Sequence, residues 1–409
     1  MLKKILSQET QVRLLILAAF CMPVFVQGTS VSLGILAFLR LVHRDERKRM
    51  LEVFQSPRTL LLSVIFYLLY VIGLGWTTNF SYAGLDLGIK ASFLLFPFIV
   101  GTQPMHGNDL RNIKFGFASG CMTACLIMLV NAGIQFSKTG NPSVFFYTDF
   151  SQPLMHPTYL SMYLSLALLF GLERLDKAIN KPQALAITAE NMFLAFNLVL
   201  LSARMAMITA VLVVFVSLFR GLMRKSIRGP QVMGYAMLML TTVLFFYGSQ
   251  RFSDRFAQVG DAIQTTTTTP ATEHNSATGR LEIWKESITL LESNWMFGTG
   301  TGDVKDELIA SYARNNFEYG YSRKLNSHNQ FLQTWLTLGI PGILVLIGMF
   351  LFPLTDKPVR YRVLFFYLAM ILSVNALTES ILEVQRGVIF MAFFFSLFLN
   401  RDTEKLSMM

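Results

Sequence analysis

About twelve apolar stretches, each near the length of a bilayer crossing, dominate this 409-residue chain. A crossing needs roughly 20 mostly apolar residues, and in hydrocarbon every backbone polar group must find its partner inside the protein. A chain built this way folds as a helix bundle. Spans are expected near 11–27, 29–42, 59–78, 86–101, 113–136, 157–173, 190–202, 203–219, 231–248, 329–351, 361–378 and 386–399. The stretches 29–42 and 190–202 look too short for full crossings. Only 15% of residues are charged and 53% are hydrophobic, against about 25% charged in soluble domains. That excludes a disordered chain, a disulfide scaffold and an ordinary cytosolic enzyme. The fold class is therefore all-α, a polytopic membrane bundle with one long outer loop. It divides into 1–248 (nine spans), 249–328 (a partly helical loop) and 329–409 (three spans and a short tail).

The net charge of +10 is the residue of a sided distribution, not a nucleic-acid signal. Lys and Arg crowd the loops 43–58, 102–114, 174–189, 220–230 and 355–362 and both termini. The opposite short loops, 79–85, 137–156 and 379–385, hold Lys138 alone. The positive-inside bias puts the first set and both termini in the cytoplasm. The long loop then lies outside, in the periplasm of a Gram-negative cell.

That loop carries a threonine run, Thr265 to Thr269, which predicts a mobile stretch. Leu281, Trp284, Ile288 and Leu291 then recur at helical spacing, predicting an amphipathic helix across the mouth of the bundle. A glycine turn (Phe297 to Asp303) ends it, without the following Lys or strand–helix context of a phosphate-binding P-loop. A second helix is expected over about 303–315, then an aromatic turn of Tyr312, Phe317, Tyr319 and Tyr321.

Ionisable groups within a membrane bundle are functional candidates, because their burial is expensive. Arg204 separates two apolar segments. Glu379, Glu383 and Arg386 fall at helical spacing. His328 follows Asn326 and Ser327 at the start of a span. The positive end of a helix and neighbouring arginines disfavour added positive charge there, and neutral imidazole is the form that accepts a proton. His156 and Tyr159, at the outer end of another span, can line the same cavity. Arg323 and Arg280 add cations from the loop. His, Cys, Asp and Glu form no cluster at metal-ligand spacing, and Cys21, Cys121 and Cys125 read as small buried residues.

Four segments carry a resemblance. Arg280-Leu281-Glu282-Ile283-Trp284 resembles an arginine-led loop helix. Asn294 to Gly300 resembles a Phe-Gly-x-Gly turn. Ser327-His328-Asn329-Gln330-Phe331-Leu332, with Leu338 to Gly342, resembles a His-Asn helix start followed by a glycine pair. Ser202-Ala203-Arg204-Met205 resembles an arginine after small residues. Together they resemble the O-antigen ligase and polymerase superfamily of membrane glycosyltransferases. The resemblance implies transfer of a glycan from undecaprenyl diphosphate to an acceptor at the outer face of the inner membrane. The acceptor is a lipid A–core sugar in ligases, the next repeat unit in polymerases, and a Ser or Thr in protein O-oligosaccharyltransferases. It implies membrane lipid as partner, no cofactor and, for the ligases, no essential metal. Its site would use His328 as base with Arg204 and Arg280 at the diphosphate. Asn329, Arg323, Arg386, Tyr159, His156, Glu379 and Glu383 would line the substrate. A transporter is disfavoured, since the charges gather at one face instead of at the midplane.

Overall fold

The computed structural model describes residues 7–55, 58–223, 235, 276–356 and 361–400, and among them there are helices and no strands. The expected span 231–248, apart from Tyr235, and the threonine run lie outside these residues. The helices are α1 (Gln8–Val24), α2 (Val26–Val42), α3 (Arg44–Leu51), α4 (Leu61–Ile72), α5 (Phe80–Ile99), α6 (Asp109–Thr139), α7 (Tyr147–Ser151) and α8 (Pro157–Leu175). They continue as α9 (Lys181–Leu200), α10 (Arg204–Met223), α11 (Ser276–Asn294), α12 (Val304–Arg314), α13 (Glu318–Arg323), α14 (Gln330–Thr355), α15 (Arg362–Ala376) and α16 (Gln385–Phe398).

Four of them, α5, α6, α9 and α14, are long and apolar enough to cross a membrane singly; counting a broken pair bent by 106°, Val26–Val42 with Arg44–Phe54, gives up to five. Length and composition of the described helices thus yield fewer crossings than the dozen expected. Breaks shorten the others. Phe25, in extended conformation, separates α1 from α2. Ser202, at φ 48°, separates α9 from α10. The expected short segment at 190–202 is corrected: α9 starts at Lys181 and runs 20 residues. Its first turns are polar, so hydropathy alone hid them.

The centre of the bundle is α8 and α16, each apolar nearly all round and buried to match. Tyr163 stacks on Phe390 at 4.6 Å, and Phe117 of α6 meets Phe394 edge-on at 4.8 Å. Gly120 lets α6 approach α1 closely: a Cβ there would lie 2.2 Å from the Phe20 carbonyl. Small residues serve this purpose between membrane helices, where packing replaces the hydrophobic effect. The three cysteines are free.

Two cross-links set the end of the bundle that matters below. Asn375 donates to Thr209 at 3.1 Å, and Ser217 donates to Tyr367 at 3.0 Å. They pair α10 and α15 in antiparallel register. Carried to the start of α10, that register sets the Arg204 backbone level with the loop 377–384.

The glycine turn proves structural. α14 breaks at Gly339, whose φ is 65°, and Pro341 has no N–H to give back to Thr337. The turn takes up the freed groups. Thr299 N–H donates to Leu336 O (2.7 Å), Gly300 N–H to Thr337 O (3.2 Å), and Ile340 N–H to Met296 O (3.1 Å). On its other side Asp303 accepts from the N–H groups of Thr78 and Asn79, at 2.8 and 2.7 Å, where α5 begins. Gly298, at φ 73°, has the Thr337 carbonyl 2.5 Å from where a Cβ would sit. Gly298→Ala is therefore expected to destabilise by about 2 kcal/mol or more. Thermal unfolding of the purified variant in detergent checks this, with a Tm lowered by several degrees as the expected result.

In the long loop, α12 and the aromatic turn fall where expected; Tyr312 and Phe317 meet edge-on at 5.4 Å. The buried face of α11 differs from the expected stripe. Gly279, Ile283, Glu286, Ser287, Leu290 and Leu291 face the protein, while Leu281 and Ile288 are exposed. Periodicity missed this because buried Glu286 is polar; it accepts from Ser311 and Asn315, both at 2.6 Å, and so ties α11 to α12.

Candidate functional site

The site forms where three chain segments meet: the entry to α14, the loop between α15 and α16, and the start of α8. At the first, Asn329 caps α14, its side chain accepting from the Phe331 and Leu332 N–H groups at 2.9 and 3.1 Å. His328 just before it is held at φ 43°, a left-handed conformation that side-chain-bearing residues seldom adopt. Its N–H donates to Asn326 Oδ1 at 3.0 Å. Such strain persists only where surroundings over-determine it, and here they do. Asn329 Nδ2 donates to Leu377 O (3.1 Å), the Ser327 and Ser380 hydroxyls meet at 3.3 Å, and Leu382 N–H donates to Gln330 Oε1 (2.7 Å).

These stitches clamp the loop 377–384 against the helix start, and Glu379 lies between them. Its Oε1 stands 3.4 Å from His328 Nδ1. That is contact distance for a pair, at the long end for a hydrogen bond. Both side chains retain some exposure, 24% for His328 and 13% for Glu379, so the pair opens to one side. Glu379, Glu383 and Arg386 were expected at helical spacing. The loop overturns this, since α16 begins only at Gln385. A Cβ at Gly387 would sit 1.8 Å from Ile381 O, so glycine is what lets the loop fold back onto α16.

His156 caps α8, with Nδ1 accepting from the Thr158 N–H at 3.4 Å. It lies 6.3 Å from Tyr159, ring to ring. His156, His328 and Arg280 all act electrostatically on Glu379. Burial pushes the Glu379 carboxyl up, but the adjacent His328 ring, with His156 and Arg280 behind, brings it below its ordinary 4.5. It is thus an anion at neutral pH. A depressed carboxylate contributes stability above its unfolded value of about 4.5, lost only as the pH falls through the lower folded value. Burial first, then His328 and Arg280, hold His156 below its ordinary 6.5, against the pull of Glu379. His156 is therefore expected to be neutral at pH 7, and its buried neutral form favours unfolding as the pH drops below about 6.5.

Arg280, half-buried on α11, has no carboxylate partner among the described residues, and its Nε is buried without a hydrogen bond. A guanidinium left open beside a His–Glu pair is fit to receive an anion two oxygens at a time. The backbone of Arg204 starts α10 at this end; its side chain lies outside the described residues. Arg323 sits over the exposed face of the loop, 4.5 Å above the Tyr319 ring. Arg386 reaches back to the Leu154 carbonyl and accepts from Tyr163 Oη at its own carbonyl, 2.8 Å, locking α16 to α8. Glu383 pairs with Lys90 at 3.2 Å instead of with His328.

Lys90 and Asp86 were missed by the sequence reading. They pair within α5, and the Lys90 side chain is wholly buried. The signal was present: an Asp and a Lys four residues apart inside an apolar run. Reading the span as starting at residue 86 placed Asp86 at its edge.

An apolar recess of about 20 Å³ opens between α8, α9 and α10, lined by Leu168, Leu198, Val199, Met207 and Val214. Trp76 and Phe297, 6.2 Å apart, and Trp295 are exposed beside the glycine turn, and tryptophan is a side chain that settles at membrane–water boundaries.

The fold is thus that of a helical membrane protein whose polar groups converge at one end of the bundle. Residues 191–347 match the O-antigen ligase family model, so that stretch of the chain is similar to that family. The match contains Arg204, Arg280 and His328; His156, Glu379 and Lys90 lie outside it and are added by the fold. No curated protein matches the chain.

Proposed function

We propose that the protein transfers a glycan from undecaprenyl diphosphate to a sugar hydroxyl of the lipid A–core, at the periplasmic face of the inner membrane. The observation that carries this reading is the His328–Glu379 pair beside the open guanidinium of Arg280. Glu379, as the anion, accepts from His328 Nδ1–H and leaves Nε2 to take the acceptor's proton, the arrangement that makes a histidine a directed base. The hydroxyl oxygen attacks the anomeric carbon, the bond to the diphosphate breaks, and the configuration inverts. Arg280 and Arg204 hold the diphosphate as negative charge builds on it. Tyr159, His156, Asn329 and Arg323 wall the substrate side, while Arg386 and Glu383 act in the frame behind it. About twelve spans, cytoplasmic termini and the division at 248 and 328 complete the proposed layout.

A repeat-unit polymerase is the second reading, since the motifs resemble those of ligases and polymerases alike. Deleting the gene separates the two. Bare core with long chains retained on the carrier supports the ligase; core bearing a single repeat unit supports the polymerase; unchanged lipopolysaccharide removes both.

Glu379→Gln keeps the shape and removes the charge. Transfer by the purified chain in lipid nanodiscs is expected to fall about 10²-fold or more, with binding of the lipid-linked donor retained. Wild-type rates would exclude the carboxylate from the step.

A further inference from the structure

Lys90 is wholly buried in the bundle. Its Nζ pairs with Asp86 one turn earlier on α5 and with Glu383 at 3.2 Å, and it lies 4.7 Å over the Tyr70 ring. One ammonium between two carboxylates is costly to bury, and replacing such groups with apolar ones is often neutral or stabilising. A purely structural role is therefore a poor account of it. Its placement offers a better one. Glu383 ends the same loop whose other members are stitched to the start of α14, and Leu382, next to it, donates to Gln330. The near end of the loop is held by Asn329 at Leu377. The far end is held by Lys90.

We propose that Lys90 is a positioning residue: through Glu383 it fixes the far end of the 377–384 loop, and so sets the Glu379 carboxylate against His328. This inference rests on the reading of His328 and Glu379 given above. Lys90 touches neither His328 nor substrate in this account, so its loss acts on the catalytic step and leaves donor binding to the arginines.

The test uses the full chain in nanodiscs with a polyprenyl-diphosphate-linked glycan and a lipid A–core acceptor. Lys90→Met and Glu383→Gln are each expected to lower kcat about tenfold or more, the scale on which small misplacements act, with donor KM within about twofold. Lys90→Arg, which keeps the charge, is expected to recover most of the rate. On a Glu379→Gln background neither substitution is expected to lower the rate further, because a residue acting only through Glu379 has nothing left to position. A general structural role predicts the opposite, losses that multiply on that background. Should Lys90→Met fail to fold, Glu383→Gln, which is isosteric, decides alone. Unchanged kcat in Glu383→Gln, a large rise in donor KM, or full multiplication with Glu379→Gln overturns the proposal. His328→Ala in the same assay separates the two readings. If it still transfers, the site assignment has failed; if it is inactive while Glu383→Gln is at wild-type rate, only the role of Lys90 has failed.

Discussion

Replacing His328 by alanine is expected to slow glycan transfer by about 10³-fold or more while the protein still folds and binds its lipid-linked donor. General-base catalysis contributes about 10²–10⁴ in rate, and no other described group stands as His328 does, between the Glu379 carboxylate and an open side. The backbone at 328 is left-handed, a region that histidine enters more readily than alanine, so the thermal stability of the variant is measured beside its rate. Exogenous imidazole supplied to the variant is expected to restore part of the rate. Loss without rescue and with a lowered Tm would instead mark His328 as a structural cap. The assay is single-turnover transfer in nanodiscs, with donor binding measured separately.

The second large effect is expected at Arg280. Alanine there should reduce transfer by about 10²–10³-fold, the loss typical of one preorganised group that stabilises developing negative charge. Lysine should recover only part, because an ammonium replaces a planar fork with a point charge. Both variants should express and unfold like the wild type, since the Arg280 side chain anchors no described carboxylate. Transfer at the wild-type rate by Arg280→Ala would remove it from the diphosphate site. A fall in Tm matching the fall in rate would show that it holds α11 in place.

Much of this site was legible in the chain because its residues break local rules. A histidine at a helix start, an arginine leading an otherwise apolar turn and two glutamates between spans each stand out against hydrocarbon-filling neighbours. The sequence could not tell which glutamate serves His328. That choice depends on the loop 377–384 being non-helical, and on Gly387 allowing it to fold over α16. It also depends on Lys90, more than a hundred residues from any of the motif segments and on another helix, claiming Glu383. Arg386 looked like one more cation for the substrate, yet one of its N–H groups goes to the Leu154 carbonyl. The glycine turn illustrates the same limit in the backbone. Its composition excluded a phosphate loop, but nothing local announced that it would take over the hydrogen bonds freed by Gly339 and Pro341. Long-range pairing of that kind has no period to read. Nor does the face of α11: the buried Glu286 is satisfied only by Ser311 and Asn315 on another helix.

The most direct measurement is the structure of the full chain in nanodiscs with a bound polyprenyl diphosphate carrying a short, non-transferable glycan. The account predicts diphosphate oxygens within about 3 Å of the Arg280 guanidinium and the anomeric carbon on the open side of the His328–Glu379 pair. A diphosphate seated at the opposite end of the bundle, or bound at this end with His328 turned away from the sugar, would contradict it.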